Sequence, residues 1–483
     1  MTTPTFCVHG HFYQPPREDP LTGEIPLEPG AAPYHNWNER IRDQCYWPNA
    51  ELGNFEHISF NVGPTLAQWL ELFDPVTIRK IIEADQLNLK RNGVGNAMAQ
   101  AYNHVILPLA SRQDKITQVR WGIQDFVMRF GHSPSGMWLP ETAVDIETLE
   151  VLAQHGIEFT ILAPWQAEAQ ELDASRPYFV RLPGNQQIIV FFYQQDLSTA
   201  VSFDPAATVN ADLFAQKILL PKFRPYTEEG EIPQFLLIAS DGEVYGHHHP
   251  FRDKFLERLF DGAIKNLPIE ASYPGLWLKQ HPPQDEIQIR PNTSWSCLHG
   301  VTRWEGECSC TPHGSWKRPL RRALTEIAEL VDRLYRLALE PYVEDPWELR
   351  HQYAAVLGGQ ITVRDYIHSY IPKSLSEEEF NRIRYFLAAQ YERQRMFTSC
   401  GWFFDDFDRI EPRNNIAYAA HAVWLVYQAI GIDLSGQAIA ALKPVKSWRS
   451  GTRADVVFRH NLKRAQSMKG HRDVPDDGTP VTP

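Results

Sequence analysis

The order of the sequence elements predicts an α/β fold with a parallel sheet, followed by a region of helices. Between residues 5 and 239, short apolar runs typical of buried strands alternate with longer stretches of helical periodicity, an order that produces parallel sheets. From residue 319 to about residue 445 the strand-like runs cease, and Leu, Ala and Arg recur at helical spacing. The 483 residues, 43% of them hydrophobic, can bury a large core in two or three structural units.

The predicted strands are short, and several of them end at polar residues. The strands are expected at residues 5–8, 57–62, 95–100, 136–139, 159–162, 188–193 and 235–239, of which 95–100 could instead be a loop. The intervening helices are expected at residues 65–73, 75–88, 114–130, 146–155 and 211–219. His9 and His11, Glu141 and Asp241 each follow one of these strands. Because catalytic groups collect at the carboxyl ends of the strands in α/β barrels, we expect these side chains to form one site.

The composition restricts the classes of partner. The formal net charge of −12 argues against nucleic acid and against an anionic membrane as main partners, and it is compatible with a neutral sugar. The six cysteines are too sparse for a disulfide framework. The N-terminus lacks the pattern of a signal peptide, and no apolar run approaches the roughly 20 residues of a membrane span. These features predict a cytoplasmic protein with a disordered tail over residues 469–483, and they give no indication of its oligomeric state.

Two carboxylates at strand ends are the strongest candidates for chemistry. Hydrolysis of a glycosidic bond uses a pair of carboxyl groups, one as nucleophile or base and one as acid, and Glu141 and Asp241 could form such a pair. Each also has a plainer interpretation. Glu141 could be a carboxylate in the first turn of the following helix, and Asp241 could be an ordinary turn residue before Gly242. Glu243 could equally be the acid.

Five segments in order resemble glycoside hydrolase family 57, which acts on α-glucans. They are VHGHFYQP (8–15), GNAMAQAYNHVILP (95–108), GMWLPETAVD (136–145), ASDGEVYG (239–246), and TSWSCLHG (293–300) together with FTSCGWFFDD (397–406). The second segment departs from the family pattern, because many members have a Glu where this chain has Asn96-Ala97-Met98. The last segments resemble a branch of the family that carries a C-terminal helical domain of unknown function.

The resemblance implies a fold and a mechanism. The fold would be an incomplete (β/α)7 TIM-like barrel over residues 1–290, followed by an α-helical domain over residues 291–468. The enzyme would be a retaining hydrolase or transglycosylase that acts on α-1,4-linked glucan without a metal or an organic cofactor. Glu141 would be the nucleophile and Asp241 the acid/base. The pKa of Asp241 would be raised by burial and by the charge of Glu141.

The same resemblance suggests which residues contact the sugar. His9 and His11, two residues apart on one strand, should point to the same face and bind sugar hydroxyls or the nucleophile. Aromatic rings stack on the apolar faces of sugars, and carboxylates and guanidinium groups bind their hydroxyls. The remaining candidates for substrate binding are Gln14, His104, Trp138, Glu243, His247, Trp295, His299, Arg303, Trp304, Trp402 and Asp405. The stretch 397–407, which holds the last two, could equally be a junction between helices with core aromatic residues and solvated acids.

One cluster of residues in the C-terminal part leaves two interpretations open. His299, Cys308, Cys310 and His313 could form a zinc site by residue type. The Cys-x-Cys spacing is tighter than that of the usual zinc knuckle, and the neighbouring tryptophans favour a loop over the glucan cleft. Cys297 and Cys400 are expected to be small buried hydrophobes. The sequence leaves metal binding undecided.

Two other functions compete with the retaining glycosidase. A metal-dependent carbohydrate deacetylase could use His9, His11 and the three histidines at 247–249, although the Asp-Asp and His-x₃-His patterns usual in such enzymes are not evident. A glucan-binding protein without turnover would also retain the aromatic residues. The presence of both carboxylates gives no sign that activity has been lost.

Overall fold

The computed structural model describes residues 3–225 and 233–467, and the predicted tail at 469–483 lies outside them. The chain divides into two compact units. The first unit consists of Met1–Pro16, Leu27–Ala101 and Phe126–Trp295, and the second of Arg17–Pro26, Tyr102–Asp125 and Ser296–Pro483. The predicted domain boundary at residues 290–291 stays a prediction.

Nine strands are found in the described part of the first unit. They are β1 (Thr5–Phe12), β2 (Ser59–Val62), β3 (Ala99–Gln100), β4 (Met137–Trp138), β5 (Phe159–Leu162), β6 (Tyr178–Leu182), β7 (Gln186–Phe192), β8 (Phe235–Asp241) and β9 (Glu270–Ala271). All seven predicted strands are present, although β3 and β4 are shorter than expected. β6 and β9 were not predicted; β6 pairs with β7 and is joined on its other side by only a single bridge, from Phe179 to Glu286, and β9 pairs with β1 over two residues.

Seven of these strands follow one another in parallel. β1 pairs with β8 on one side and with β2 on the other. A parallel bridge between Phe60 of β2 and Ala97 leads on to β3, which pairs with β4. A second bridge joins Gly136 to Phe159 in β5, and β5 pairs with β7. The predicted parallel sheet is therefore confirmed, and the antiparallel pair of β6 and β7 is added at its edge.

The helices of the first unit connect these strands. They are α1 (Trp37–Ile41), α2 (Trp47–Glu51), α3 (Pro64–Phe73), α4 (Pro75–Asn92), α6 (Ile146–Gln154), α7 (Gln195–Phe203), α8 (Ala211–Leu213), α9 (Arg252–Arg258) and α10 (Pro274–Gln280). One further helix, α5 (Arg112–Phe130), begins in the second unit and ends in the first. Asp74 caps the start of α4, where its side chain accepts a hydrogen bond from the N–H of Thr77. Between the strands and α10, Cys7, Trp138, Ile161 and Trp277 form part of a buried core.

The elements of the second unit after residue 296 are helices. They are α11 (Thr302–Glu305), α12 (Lys317–Leu339), α13 (Pro346–His351), α14 (Ala354–Leu357), α15 (Val363–Tyr370), α16 (Glu377–Arg395), α17 (Cys400–Phe403), α18 (Ile410–Ile430), α19 (Ser435–Leu442) and α20 (Ala454–Ser467). α16 begins with a capping box between Ser376 and Glu379, and it packs along α18. Within the described ranges, no helix is both long enough and apolar enough to cross a bilayer.

Candidate active site

Glu141 lies in a tight turn at the carboxyl end of β4. The turn Pro140–Thr142 gives Glu141 a φ of 57° and Thr142 a φ of 48°, a left-handed conformation that is costly for residues with side chains and is often found at functional sites. The N–H of Trp295 donates to the carbonyl of Glu141 at 3.0 Å, and its indole Nε1 donates to Oε2 at 3.1 Å. The helix-capping role considered for Glu141 belongs instead to Asp145, which accepts from Thr148 at the start of α6.

Asp241 ends β8, directly beside His11 of β1 in the parallel register. Its side chain remains open to solvent on one side, yet the surrounding protein desolvates it. Burial, then the charge of Glu243, and then the charge of Glu141 raise the pKa of Asp241 to about 8. The carboxyl group can therefore hold a proton near neutral pH, which an acid catalyst needs.

Glu243 lies two residues beyond Asp241 and is enclosed by hydrogen-bond donors. The hydroxyl of Tyr46 donates to its Oε1 at 2.6 Å, and the N–H of Tyr13 and the amide of Gln14 approach the same oxygen at 3.3 and 3.5 Å. Burial raises the pKa of Glu243 to about 7, against the lowering effect of these donors. Gln14 thus approaches Glu243, which is close enough to Asp241 for its charge to raise the pKa of that carboxyl group.

The two histidines of β1 lie on one face, as their spacing predicted. Both rings stack on Trp138, with centroids 4.7 Å and 5.1 Å away, and Asn61 lies between them, with Oδ1 3.2 Å from Nε2 of His9 and from Nδ1 of His11. Burial lowers the pKa of His9 to about 3 and that of His11 to about 4. Both rings are therefore neutral near pH 7.

For two of these residues, the predicted contact with the sugar is wrong. Nδ1 of His9 bonds Ser59 at 2.9 Å while Nε2 bonds Asn61, so neither ring nitrogen is left for a hydroxyl. Trp138 is fully buried beneath the histidines, so its faces cannot stack on a ligand. Both residues support His11, whose ring meets the edge of Trp295 at 6.3 Å.

His247 lies after the turn that carries Glu243. Its Nδ1 lies 2.7 Å from Oε1 of Gln44, and its ring meets the edge of Trp37 at 5.9 Å. His248 is exposed, and Nε2 of His249 lies 3.2 Å from the carbonyl of Ser202. Among the residues that the structure describes, these histidines and those of β1 do not gather into a group of three potential metal ligands.

The other predicted contact residues belong to the second unit. His104 is buried, with Nδ1 2.7 Å from the hydroxyl of Ser399. His299 lies among three cysteines. The guanidinium group of Arg303 lies 4.5 Å from the ring centre of Phe403, and Asp405 forms an ion pair with Arg449 at 2.5 Å.

Trp304 and Trp402 are interior residues of the second unit. Both side chains are fully buried. The guanidinium group of Arg321 lies 3.9 Å from the ring centre of Trp402, and it donates to the carbonyl of Trp304 at 2.9 Å and 3.0 Å. The faces of these two indoles are covered by protein, which favours the interpretation of Trp402 as a core residue at a junction between helices over a contact with sugar.

Several residues of the site were missed from the sequence. Asn61 carries the contacts between the two histidines, and Tyr46 holds Glu243. Asn61 was detectable, because it is a polar residue between Phe60 and Val62 in strand β2. Tyr46 had no sequence signal, since it reaches the site from a helical segment far from any motif.

A cavity of about 820 Å³ opens at the carboxyl end of β7. Tyr193 contributes to its wall and meets the edge of Trp295, with ring centroids 6.4 Å apart. The remaining lining residues include polar Gln194 and Asp196 and the exposed ring of Phe203. A mixed aromatic and polar wall of this kind suits a sugar, which presents apolar faces and hydroxyl edges.

Two family profiles match different parts of the chain. The profile described as glycosyl hydrolase family 57 matches residues 33–290. A profile described as a domain of unknown function, DUF3536, matches residues 313–469. The first match covers more than half of the chain.

Curated relatives are similar over about half of the chain. An alpha-amylase of Pyrococcus furiosus is 21% identical over 262 residues, which cover 52% of this chain and 38% of the relative. A 4-alpha-glucanotransferase of Thermococcus litoralis is 24% identical over 266 residues, which cover 52% of this chain and 37% of the relative. The matches thus span less than two fifths of the length of either relative.

Solved structures resemble this one over nearly its whole length. An exo-type maltose-forming amylase from Pyrococcus sp. ST04 has a TM-score of 0.75 at 15% identity, covering 98% of this chain and 93% of that one. A branching enzyme of Thermococcus kodakaraensis has a TM-score of 0.59 at 14% identity, covering 93% and 96%. At these identities the similarity shows a shared fold.

Proposed function

Because the chain belongs to glycosyl hydrolase family 57, we propose that it is a retaining enzyme that cleaves or transfers α-1,4-linked glucan, with Glu141 as nucleophile and Asp241 as acid/base. The observation that carries this proposal is the state of the two carboxyl groups. Asp241 has a pKa raised to about 8, partly by the charge of Glu141, while Glu141 accepts a hydrogen bond from Trp295. One group can therefore donate a proton while the other is held as a carboxylate.

In the first step the glycosidic bond is exchanged for an ester bond. The carboxylate of Glu141 attacks the anomeric carbon as Asp241 gives its proton to the leaving oxygen. The indole of Trp295 donates to Oε2 of Glu141 and orients the carboxylate for the attack. His11, supported by Trp138 and Asn61, lies beside Asp241 and is suited to contact a sugar hydroxyl.

In the second step Asp241 acts as a base. The charge of Glu141 disappears when its carboxylate becomes an ester, so one of the causes that raise the pKa of Asp241 is removed. Asp241 then accepts a proton from water or from a sugar hydroxyl, which attacks the anomeric carbon and regenerates Glu141. Water gives hydrolysis, and a sugar hydroxyl gives transfer.

The architecture is consistent with this chemistry. We propose that the seven parallel strands form the incomplete (β/α)7 barrel that the resemblance implied, with the hydrogen bond from the N–H of Gln194, just after β7, to the carbonyl of Leu237 linking β7 to β8. The helices after residue 290 would be a separate domain. The glucan would extend from Glu141 past Trp295 and Tyr193 into the cavity at the end of β7.

Product analysis with a trapped intermediate tests the proposal. The full chain is incubated with amylose, maltooligosaccharides and glycogen, and products are resolved by length and linkage. A fluorinated glucosyl donor, which slows the second step, should leave a glucosyl adduct on the peptide containing Glu141, and Glu141→Gln should leave none. An adduct on another carboxylate, or full turnover by Glu141→Gln, contradicts the assignment. Binding of all three glucans without any product would favour the glucan-binding alternative.

A further inference from the structure

A short loop of the second unit brings three cysteines and a histidine together. Each of Cys297, His299, Cys308 and Cys310 offers one ligand atom, and these four atoms lie within 4.8 Å of one another. Sγ of Cys297 lies 3.5 Å from that of Cys308 and 4.0 Å from that of Cys310. Nδ1 of His299 lies 3.2 Å and 3.4 Å from the sulfurs of Cys308 and Cys310.

These separations fit one tetrahedral zinc ion. With Zn–S bonds of about 2.3 Å and a Zn–N bond of about 2.0–2.1 Å, a regular tetrahedron places two sulfurs about 3.8 Å apart and a sulfur and a nitrogen about 3.5 Å apart. The two sulfur–sulfur distances from Cys297 bracket the first value, and the two sulfur–nitrogen distances from His299 lie close to the second. Soft thiolates with one imidazole in this geometry favour zinc over the hard cations calcium and magnesium.

The backbone explains how such closely spaced residues can share one ion. Cys297 and His299 flank one residue in a turn closed by the N–H of Gly300 donating to the carbonyl of Cys297 at 3.1 Å. Cys308 and Cys310 flank one residue in a second turn, where the N–H of Thr311 donates to the carbonyl of Cys308 at 2.9 Å. Each turn presents two ligands on one side, so the tight Cys-x-Cys spacing is no obstacle.

The ligand set differs from the one considered from the sequence. His313 is directed elsewhere, because its ring stacks on Trp448 with centroids 4.1 Å apart. Cys297 takes the fourth place, so its interpretation as a small buried hydrophobe is incomplete. Cys400 is half-buried and is not part of the cluster.

Hydrogen-bond donors and one cation lie around the sulfurs. Backbone N–H groups of His299 and Arg303 donate to the sulfur of Cys297, and that of Leu298 donates to Cys310. The buried ammonium group of Lys317 has no hydrogen-bond partner among the described residues, and its charge interacts with Cys308 and Cys297. Three thiolates and one Zn²⁺ carry a net charge of −1, which this ammonium group would offset.

The loop also needs a source of stability beyond its own regular structure. Between residues 296 and 316 it contains the four-residue helix α11 and the single turn Gly314–Trp316, and helices of this length are not stable alone. A structural metal ion supplies binding free energy that becomes folding free energy in such segments.

We propose that Cys297, His299, Cys308 and Cys310 bind one structural Zn²⁺ ion that holds this loop in its fold. All four ligands come from the protein, which is the arrangement of structural sites; catalytic zinc sites keep one position open. Binding releases the thiol protons of the three cysteines to solvent. The site takes no part in the bond-breaking steps proposed above, and it would exist whether or not those steps occur.

Metal analysis of the full chain tests this inference. The protein is produced with zinc in the medium and purified under reducing conditions without chelators, and elemental mass spectrometry should find about one zinc ion per chain. Exchange for Co²⁺ should produce the absorption bands of tetrahedral cobalt together with a thiolate-to-cobalt charge-transfer band. A strong chelator should remove the ion and lower the midpoint of thermal unfolding.

Matched variants distinguish the cluster from general thiol binding. Cys308→Ser and Cys310→Ser should lose zinc, whereas Cys400→Ser and His313→Ala should keep it. If Cys308→Ser fails to fold, the cobalt spectrum of the unaltered chain decides. Three outcomes overturn the inference: no zinc after purification and none taken up on incubation, zinc retained in folded Cys308→Ser, or a metal-free chain in which Cys297 and Cys308 form a disulfide under these conditions.

Discussion

Two groups of carboxylates that the surrounding protein desolvates have opposite electrostatic surroundings. In the second unit, Asp114 lies 2.9 Å from a guanidinium nitrogen of Arg393 and 3.2 Å from one of Arg350. Burial alone would raise its pKa, but these two cations outweigh burial and lower the pKa to about 2. In the first unit, the pKa values of Asp241 and Glu243 are raised to about 8 and about 7. Within the described part of the chain, no lysine or arginine forms an ion pair with either of them.

The presence or absence of a pairing cation indicates whether a desolvated carboxylate has a structural or a chemical role. A buried charge is expensive unless it is paired, and a fold that needs only stability supplies the pairing cation, as the second unit does for Asp114. Leaving two carboxyl groups close together without a cation favours the protonated form of one of them, which is useful where a proton must be transferred. The comparison therefore points to the first unit as the place of the chemistry.

The largest expected effect follows from removing the acid. Asp241→Asn keeps the shape of the side chain but cannot donate a proton, so turnover of maltooligosaccharides should fall by about 10²–10⁴-fold. Asp212→Asn is the matched control, since Asp212 is paired with Arg258 on the surface and should leave turnover unchanged. Equal turnover by the two variants would remove Asp241 from the mechanism.

The second prediction concerns the ion pairs of Asp114 and Asp332 with Arg393 in the second unit. Arg393→Met leaves Asp114 and Asp332 without the guanidinium group that binds both, and it should destabilise the protein by about 3–5 kcal/mol. Arg322→Met, which removes an exposed ion pair with Glu326, should cost no more than about 1 kcal/mol. Denaturant unfolding of both variants gives the comparison, and similar midpoints would contradict a structural role for the cluster.

The third prediction concerns the hydrogen bond that orients the nucleophile. Trp295→Phe keeps an aromatic ring but removes the indole donor to Glu141. A hydrogen bond to a charged group contributes about 1.5–3 kcal/mol, so kcat should fall by roughly 10- to 150-fold. If the loss appeared only in KM, Trp295 would be a sugar contact and would not orient Glu141.

The smallest expected effect is a shift of the pH profile. Asp241 must be protonated in the first step, so kcat/KM should decline as the pH rises through about 8. Glu243→Gln removes a negative charge that raises this pKa, so the decline should move to lower pH, by about one unit for each 1.4 kcal/mol of lost repulsion. A decline that stays in place would show that the charge of Glu243 does not reach Asp241.

Much of the sheet could be predicted, because strand signals are local. The apolar runs that end at His9, Glu141 and Asp241 are strands or strand ends, and the expected helix at 146–155 is α6 with one residue fewer. The edge strand β6 and helix α7 were missed. Their patterns are weak in isolation, and each is stabilised by a neighbour, β7 for the strand and β8 for the helix.

The candidate site was predicted less completely than the sheet. The spacing of His9 and His11 correctly predicted that they share a face. It could not show that both ring nitrogens of His9 are hydrogen-bonded within the protein, or that His11 lies beside Asp241. Trp304 and Trp402 are aromatic residues of the type that stacks on sugars, but both side chains are buried in the protein interior. Exposure depends on all the residues packed around a ring, and these come from distant parts of the chain.

The sequence by itself determined which polar residues follow the strands, because the two-residue period of a strand and the turn that ends it depend on neighbours in the chain. The tertiary structure decided how those residues are used. In the folded protein Tyr46 donates a hydrogen bond to Glu243, and Cys297 takes the place of His313 in the cysteine cluster. Two arginines lie beside Asp114, whereas the charges that act on Asp241 are those of carboxylates. Burial and electrostatics act through space, so residues hundreds of positions apart set the charge state of each group.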